Sequence, residues 1–206
     1  MELKEKIIQE SGHLFKRYGF RSVTMDEIAA YLSISKKTIY QFFKDKNDVV
    51  FSATKEILKR DREEFSGITK VSENAIEELF LVSKCLRKMF NEINPSLLFD
   101  LQKYHPDAYA LFYDYKENFV FNMINNNLNK GIKGGYFRKD IDPNILTRLR
   151  VEEVQMSFDS RIYPTSQFDF KEVSLQLFEH FLQGIMTNKG RALFKKYQEK
   201  TLANEN

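Results

Sequence analysis

The sequence predicts an all-α fold, and three observations support that prediction. Apolar residues recur at helical spacing along most of the chain, and no segment shows the alternation of a strand worth assigning. Four prolines and eight glycines among 206 residues leave few helix breakers. Hydrophobic residues make up 42% and charged residues 30%, a composition typical of globular proteins. The chain is long enough for one domain or two small ones, each built from helices.

The first helix is expected at 3–18, with Gly19 as its C-terminal cap. Thr24-Met25-Asp26-Glu27 is a capping box, in which the Thr24 hydroxyl accepts from the N–H of Glu27 and the Glu27 carboxylate reaches back. A short helix follows it and ends at Ser33-Ile34-Ser35. Ser35 then caps a second short helix over 36–43.

The remaining chain also has helical periodicity. Asp142-Pro143 is a start signal, an aspartate cap followed by proline at the first helical position. Gly134-Gly135 ends the helix before it. We expect one longer helix over 45–65, ended by Gly67, and further helices at 72–92, 95–104, 107–133, 143–159, 169–188 and 190–202.

Two short helices joined by three or four residues and packed on a third form a helix-turn-helix. Ala29 must be small where the helices cross, and Ile34 fills the turn. The shared core is expected to contain Ile28, Leu32, Ile39 and Phe43, with Phe15 and Tyr18 from the first helix. The second short helix then presents Lys36, Lys37, Thr38, Tyr40 and Gln41 outward, a set that suits the major groove of DNA.

The charge distribution points to the same region. Residues 1–47 hold nine Lys/Arg and six Asp/Glu, and the remainder holds 23 of each, so the whole net charge of +3 lies in the first quarter. This asymmetry indicates an anionic partner for that quarter.

These residues resemble the N-terminal domain of TetR/AcrR-type transcriptional regulators. The resemblance covers about residues 5–60 without gaps, and it rests on a set of short motifs rather than on any one of them. The motifs are Gly19-Phe20, Thr24-Met25-Asp26-Glu27-Ile28-Ala29, Leu32, Ile34-Ser35-Lys36-Lys37-Thr38-Ile39-Tyr40, Phe43 and Lys46-Asn47-Asp48-Val49. A later turn, Gly135-Tyr136-Phe137-Arg138, is also similar to one found before a late helix in many members.

The resemblance implies a homodimer that binds double-stranded DNA at a pseudo-palindromic operator. It also implies a C-terminal helical domain that binds a small-molecule effector of unknown identity and supplies the dimer interface. By matching position, the phosphate contacts are Thr24, Ser35, Lys36, Tyr40 and Lys46. The base-reading positions are Lys37, Thr38 and Gln41.

Three positions depart from the family pattern. Lys37 stands where a small residue is common, and it adds a contact to a base or a phosphate. Phe42 replaces a common histidine or tyrosine, which removes a polar contact. Ser33 stands where glycine is frequent, and a left-handed conformation there would cost about 1–2 kcal/mol.

Effector pockets are mostly apolar with a few placed polar groups. Aromatic residues of the C-terminal region can form either such a pocket or the core, and helical spacing alone does not separate the two. Glu153 is a candidate contact for a cationic effector, or else it lies at the edge of an apolar stripe or pairs with a nearby base. The candidate pocket residues are Phe99, Tyr104, Phe112, Tyr115, Phe119, Glu153 and Phe158.

The helix over 143–159 carries two apolar stripes on nearly opposite sides. One side can face its own subunit and the other a partner, and the helix over 169–188 is similarly broad. We therefore expect a four-helix dimer interface from these two segments. Its candidate residues are Val151, Val154, Phe178, Phe181 and Ile185.

No motif predicts an enzyme or a cofactor. His13, His105 and His180 are scattered, and the lone Cys85 lies on an apolar face, so no catalytic or metal-ligating residue is assigned. Catalytic groups assembled only by folding, and a scaffold that has lost DNA binding, remain alternatives. So does a membrane-surface role for 191–200.

Location follows from similar reasoning. No apolar run approaches the ~18 residues of a membrane span. The mixed-charge N-terminus is unlike a signal peptide, so no membrane partner is expected and the cytosol is the predicted location.

The sequence therefore predicts a ligand-responsive transcriptional regulator, most simply a dimeric repressor that leaves its operator when an effector binds. We expect a DNA-binding domain over 1–48 with the helix-turn-helix at 24–43. A connecting helix over 49–66 would join it to an effector-binding and dimerisation domain over 67–206.

Overall fold

The computed structural model describes residues 2–204, and for 201–204 it describes the backbone alone. The described residues form an all-α fold, as predicted, in which one isolated bridge joins Phe137 to Met186. None of its described helices is both long and apolar enough to cross a membrane. The helices are α1 (Leu3–Tyr18), α2 (Met25–Leu32), α3 (Lys36–Tyr40), α4 (Lys46–Val71), α5 (Ala75–Phe90), α6 (Leu97–Tyr104), α7 (Pro106–Asp114), a π-helix (Tyr115–Val120), α8 (Phe121–Lys133), α9 (Pro143–Ser157), α10 (Phe170–Ile185) and α11 (Asn188–Asn204).

The chain forms two compact units. Unit 1 contains the residues up to Glu63 together with Glu92–Tyr115, and unit 2 contains Glu64–Asn91 and the residues from Lys116 onward. Helix α4 therefore contributes residues to both. This division by compactness differs from the boundaries that we expect on functional grounds, because 92–115 belong with the N-terminal helices.

The core of unit 1 joins α1, α2, α3 and the start of α4. Its fully buried side chains include Ile7, Phe15, Ile28 and Ile39. Tyr18, which the sequence placed in this core, is instead 48% exposed. Phe20 takes that place because Gly19 ends α1 with a φ of 84° and turns the following chain inward.

The caps of the two short helices are as predicted. The Thr24 hydroxyl accepts from the N–H of Glu27 at 3.2 Å, and the Glu27 carboxylate accepts from the N–H of Thr24 at 2.6 Å. The Ser35 hydroxyl accepts from the N–H of Thr38 at 3.0 Å. Ser33 has a φ of 56° and is the one non-glycine residue with positive φ among those described. The strain that we expected there is therefore present in the turn.

Helices α6 and α7 complete unit 1. The N–H of Asn94 donates to the carbonyl of Lys16 at 2.7 Å. The N–H of Arg21 donates to the Asp100 carboxylate at 3.3 Å. Leu101 and Ala108 are buried in the same core as α1–α3. These contacts explain why 92–115 are part of the N-terminal unit.

Unit 2 is built on α5, α8, α9, α10 and α11. Asp142 caps α9 as predicted, accepting from the N–H of Asn144 at 2.7 Å. Between α8 and α9 the ring of Phe137 is fully buried and lies against Gly131, where any side chain would collide with it. The Asn127 amide donates to the Ala75 carbonyl at 3.1 Å and joins α8 to α5.

Two predicted helix boundaries are wrong. Gly67 does not end the connecting helix, because α4 continues to Val71 with Gly67 inside it. The helix expected over 107–133 is interrupted by the π-helix at Tyr115–Val120, which changes the register between α7 and α8. Neither change involves a proline or a strong polar signal, so local sequence did not reveal it.

Candidate functional site

The predicted DNA-contact surface is built on α3, whose two faces differ in chemistry. Ile39 is fully buried and Phe43, just beyond the helix, is 2% exposed. Lys37, Tyr40 and Gln41 are exposed on the opposite face, with Tyr40 at 47%. A helix held by one apolar face and open on the other can enter a groove with its polar groups foremost.

Two hydroxyl groups at the helix starts are already engaged in capping. The Thr24 oxygen accepts one hydrogen bond, so its O–H remains a donor for a phosphate. The hydroxyl oxygens of Ser35 and Thr38 lie 2.7 Å apart and hydrogen-bond to each other. This hydrogen bond restricts the direction in which the Thr38 hydroxyl, a predicted base-reading group, can point. Thr38 is also half-buried.

Lys36 is held by a partner that the sequence analysis did not identify. Its ammonium donates to the Asp26 carboxylate at 2.8 Å, joining α3 to α2. This hydrogen bond raises the pKa of Lys36. Because both side chains are exposed, water and salt weaken the pair, and a phosphate can replace the carboxylate.

Lys46 lies at the first residue of α4 and is half-buried. Burial lowers the pKa of its ammonium, and the carboxylates of Glu27 and Asp100 oppose that effect. A partly desolvated cation interacts more strongly with a phosphate than a fully hydrated one. Unit 1 therefore contains all eight predicted DNA contacts: Thr24, Ser35, Lys36, Lys37, Thr38, Tyr40, Gln41 and Lys46.

Four of the predicted effector residues lie in unit 1. Phe99 is 55% exposed and Tyr104 is 40% exposed, and the Lys103 ammonium lies over both rings at 5.4 and 5.3 Å. Phe112 is half-buried against the unit 1 core. Tyr115 is buried, with the Arg62 guanidinium 5.9 Å from its ring centre. Phe99 and Tyr104 are thus partly exposed, and Tyr104 lines the cleft of unit 1 that is described below.

The other three effector residues lie in unit 2. Phe119 packs against the core of that unit, and the Phe158 ring lies 4.5 Å from that of Phe170. Glu153 is buried and accepts from the Arg150 guanidinium at 3.3 Å, which matches the alternative that it pairs with a base. The seven predicted residues are therefore divided between the two units.

The predicted dimer residues are buried within their own subunit. Val151, Phe178, Phe181 and Ile185 are all 6% exposed or less, and Val154 is half-buried. A side chain that is already enclosed has little surface to offer a partner, which argues against these residues as the interface. In the other stripe of α9, Ile145 is 66% and Leu149 is 49% exposed, whereas Leu146 packs against the unit 2 core.

Unit 1 also contains a cleft of about 820 Å³ that the sequence did not predict. At its wall the buried His105 has its Nδ1 atom 2.7 Å from the Asn47 side-chain oxygen. Burial lowers the pKa of His105, and the nearby Lys46 ammonium lowers it further. The lining residues are Lys44, Asp45, Asn47, Asp48, Phe51, Tyr104, His105, Pro106, Asp107, Ala108, Ala110 and Leu111.

Residues 7–53, which contain α2, the turn and α3, match the family model of the bacterial regulatory proteins of the tetR family. This segment therefore forms a DNA-binding domain of the tetR type. An uncharacterised HTH-type transcriptional regulator of Bacillus subtilis, YvaF, is 25% identical to the chain over 185 residues, which are 89% of this chain and 95% of the relative. The match to the family model is confined to unit 1, so the family assignment rests on the DNA-binding region.

Solved structures match the chain over most of its length. A TetR-family regulator from Agrobacterium tumefaciens has a TM-score of 0.73 at 14% identity and covers 89% of this chain and 97% of its own. A transcriptional regulator from Saccharomonospora viridis, solved in complex with choline, has a TM-score of 0.70 at 18% identity, covering 90% and 98%. At these identities the similarity shows a shared fold.

Proposed function

We propose that the protein is a dimeric repressor that binds a pseudo-palindromic operator and is released from it by a small-molecule effector. The observation that carries the proposal is the division of α3 into a buried apolar face and an exposed polar face. Two such helices, one from each subunit, read successive major grooves about 34–36 Å apart.

The proposed contacts have two roles. Thr24, Ser35, Lys36, Tyr40 and Lys46 contact phosphates, which fixes the register of the protein on DNA without reading sequence. Lys37, Thr38 and Gln41 read base edges. An arginine or lysine side chain donates to guanine, and a glutamine can pair with adenine through both its donor and its acceptor. The exposure of Lys37 and Gln41 supports these roles.

The proposed dimer interface now uses the exposed residues of the other stripe of α9. Ile145 and Leu149 are large apolar side chains left in solvent within a single subunit. Their contact with the same residues of a second copy would remove that surface from water, as in a two-fold symmetric interface. The dimer fixes the distance between the two recognition helices, which a pseudo-palindromic operator requires.

Effector control requires a ligand that binds one conformational state of the protein more tightly than the other. A ligand with equal affinity for both states does not shift the equilibrium between them. Helix α4 contributes residues to both units and is the proposed lever between them. The choline complex of the Saccharomonospora viridis regulator supports an effector site in a protein of this fold.

Fluorescence anisotropy with single substitutions tests the contact roles. Lys46→Ala should weaken binding to all duplexes and reduce the salt slope by about 1. Gln41→Ala should instead change which base is preferred at one position, at a cost of about 1–3 kcal/mol against the correct site. The probe is the DNA upstream of the regulator's own coding region, compared with duplexes mutated one base pair at a time.

The matched control is Lys139→Ala, which removes an exposed lysine of unit 2. It should leave both affinity and base preference as in the parent protein. If Gln41→Ala lowered affinity equally for every duplex, Gln41 would be a phosphate contact and the base-reading assignment would be wrong.

A further inference from the structure

The inward face of α9 is polar, although it lies in the interior of unit 2. Thr147, Arg150, Glu153 and Ser157 are all 8% exposed or less. At about 100° per residue, Arg150, Glu153 and Ser157 lie within one narrow sector of the helix. Helices that only fill a core present aliphatic side chains there, because buried polar groups cost free energy unless they are fully hydrogen-bonded.

Arg150 is the strongest feature of this face. Its guanidinium lies 4.9 Å from the ring centre of Phe178 and 5.9 Å from that of Phe181, both on α10. Within the described part of the chain it donates one hydrogen bond, from Nη1 to Glu153. A guanidinium has five N–H donors. No acceptor for Nε or Nη2 is found among the described residues, and neither atom is fully enclosed by the protein.

Burial lowers the pKa of Arg150, and the Glu153 carboxylate opposes that effect. Arginine nevertheless keeps its charge at neutral pH. A buried cation with a single hydrogen bond is a poor source of stability, because an apolar pair of similar volume is often equally stable or more so. The arrangement is therefore better explained by a ligand than by packing.

A second, independent feature lies on α10. The Ser174 hydroxyl is buried, at 4% exposure, and has no hydrogen-bond partner among the residues that the structure describes. Ser174 precedes Phe178 by one helical turn, so the two side chains share a face of α10. A buried hydroxyl without a partner destabilises the fold, because its desolvation is not offset by a hydrogen bond. A polar ligand atom would supply that bond.

We propose that Arg150, with Phe178, Phe181 and Ser174, binds a small amphipathic carboxylate in unit 2. The two oxygens of the carboxylate accept from Nε and Nη2 of Arg150 as a bidentate pair. The apolar body of the ligand packs on the two phenylalanine rings. Glu153 keeps Arg150 in place from the Nη1 side, and its negative charge limits the affinity for the anion.

This inference rests on the proposed effector control and gives the chemical class of the effector. It argues against a cation as the ligand at this site. Glu153 is the only acidic group that the structure brings to Arg150 among the described residues, and its charge is already used by that pair. A cationic ligand would have to compete with Arg150 for Glu153 while facing the arginine's own charge.

Isothermal titration calorimetry of the full chain tests the ligand class with two anions of different shape, 4-phenylbutyrate and decanoate. The matched neutral and cationic probes are 4-phenylbutanol, 4-phenylbutylamine and choline. We expect at least one anion to bind saturably, with an affinity about tenfold or more above that of the alcohol and the cations. Failure of both anions to bind, or equal binding of alcohol and anion, would overturn the proposal.

Substitutions at the ion pair separate a ligand site from a structural one. Arg150→Met should weaken binding of the anion about tenfold or more, whereas Glu153→Gln should strengthen it because a competing negative charge is removed. If the pair were only structural, both substitutions would lower the melting temperature and both would weaken binding of the anion. That result would overturn the proposal.

Two further variants guard against misfolding and surface effects. Arg150→Lys keeps the charge but loses the planar fork, and it should bind the anion more weakly than the parent while remaining helical by circular dichroism. Arg161→Met removes an exposed arginine that pairs with Asp159, and it should bind the anion as the parent does.

A DNA-binding readout keeps the two proposals apart. Operator binding in the absence of ligand tests the repressor proposal, and its result does not depend on whether the anion binds. If the protein binds its operator and neither anion binds, the ligand class is wrong and the DNA-binding function stands. If an anion binds through Arg150 but no DNA is bound with sequence preference, the site exists and the repressor proposal fails.

Discussion

The two units place their polar groups in opposite ways. In unit 1 the polar residues of α3 point to solvent around a helix held by Ile39. In unit 2 the polar residues of α9, such as Arg150 and Thr147, point into the core, while its apolar Ile145 and Leu149 face solvent. Exposed polar groups suit a long polymer that arrives from solution. Buried polar groups are suited to binding a small molecule that the protein encloses. Exposed apolar side chains are suited to contact with another protein surface.

The largest expected effect comes from comparing the two stripes of α9. Val151→Glu places a charge without a partner in the core of unit 2, and it should destabilise the protein by more than 4 kcal/mol or prevent folding. Leu149→Glu lies in solvent within one subunit and should leave the fold intact while yielding monomers. Thermal unfolding and light scattering of both variants measure the contrast. A stable dimer that survives Leu149→Glu would remove the exposed residues of this stripe from the interface.

The two faces of α3 provide the next comparison. Ile39→Ala removes a fully buried side chain and should cost about 2–5 kcal/mol of unfolding free energy. Tyr40→Ala, its exposed neighbour, should change stability by less than about 0.5 kcal/mol but weaken DNA binding about three- to tenfold through a lost phosphate hydrogen bond. Urea denaturation and anisotropy together separate the effects. Equal loss of stability in the two variants would mean that α3 has no free face.

A smaller effect, of opposite sign, is expected within α4. Gly67 lies inside this helix. Apart from its chain neighbours and the nearby backbone of α4, no atom of the described residues is within 4 Å of the position where a Cβ would be. Gly67→Ala should therefore stabilise the protein by about 0.5–1 kcal/mol, because alanine loses less backbone entropy on folding. Gly131→Ala is the matched control and should destabilise, since its side chain would meet the ring of Phe137. A loss of stability in Gly67→Ala would show that α4 is not a regular helix there.

The smallest effect concerns His105 in unit 1. Its pKa is lowered by burial and by Lys46, with Asp100 acting in the opposite direction. The unfolded chain therefore binds a proton more readily than the folded one, so this group adds no pH dependence above about pH 6.5 and destabilises the fold increasingly below it. His105→Gln should show a shallower loss of unfolding free energy between pH 6.5 and 5 than the parent. His180→Gln, at an exposed position, is the control for the loss of a histidine side chain.

The part of the fold that is stabilised by local interactions could be predicted from the sequence. The caps at Thr24, Ser35 and Asp142 and the strained turn at Ser33 involve residues within a few positions of each other, so short motifs specify them. The contact between Lys36 and Asp26 spans ten residues and depends on how α3 crosses α2. No local pattern encodes that crossing.

The interior of unit 2 was harder to predict for a related reason. Periodicity gives two apolar stripes on α9 but does not say which residues of each stripe meet α10 and which face solvent. Spacing along α9 places Arg150 within reach of Glu153, but spacing does not show that this pair is buried. Likewise, 92–115 join unit 1 through distant contacts such as that of Asn94 with Lys16.

The most direct test of the regulator's proposed function is an anisotropy titration of the purified protein at two salt concentrations. The probe is the duplex immediately upstream of its own coding region, and a random duplex of equal length is the reference. Specific sites usually bind about 10³-fold or more tightly than non-specific DNA, and we expect saturable binding with a preference of that order. Weak binding of equal strength to both duplexes, falling with salt in the same way, would contradict the proposal that α3 reads this site.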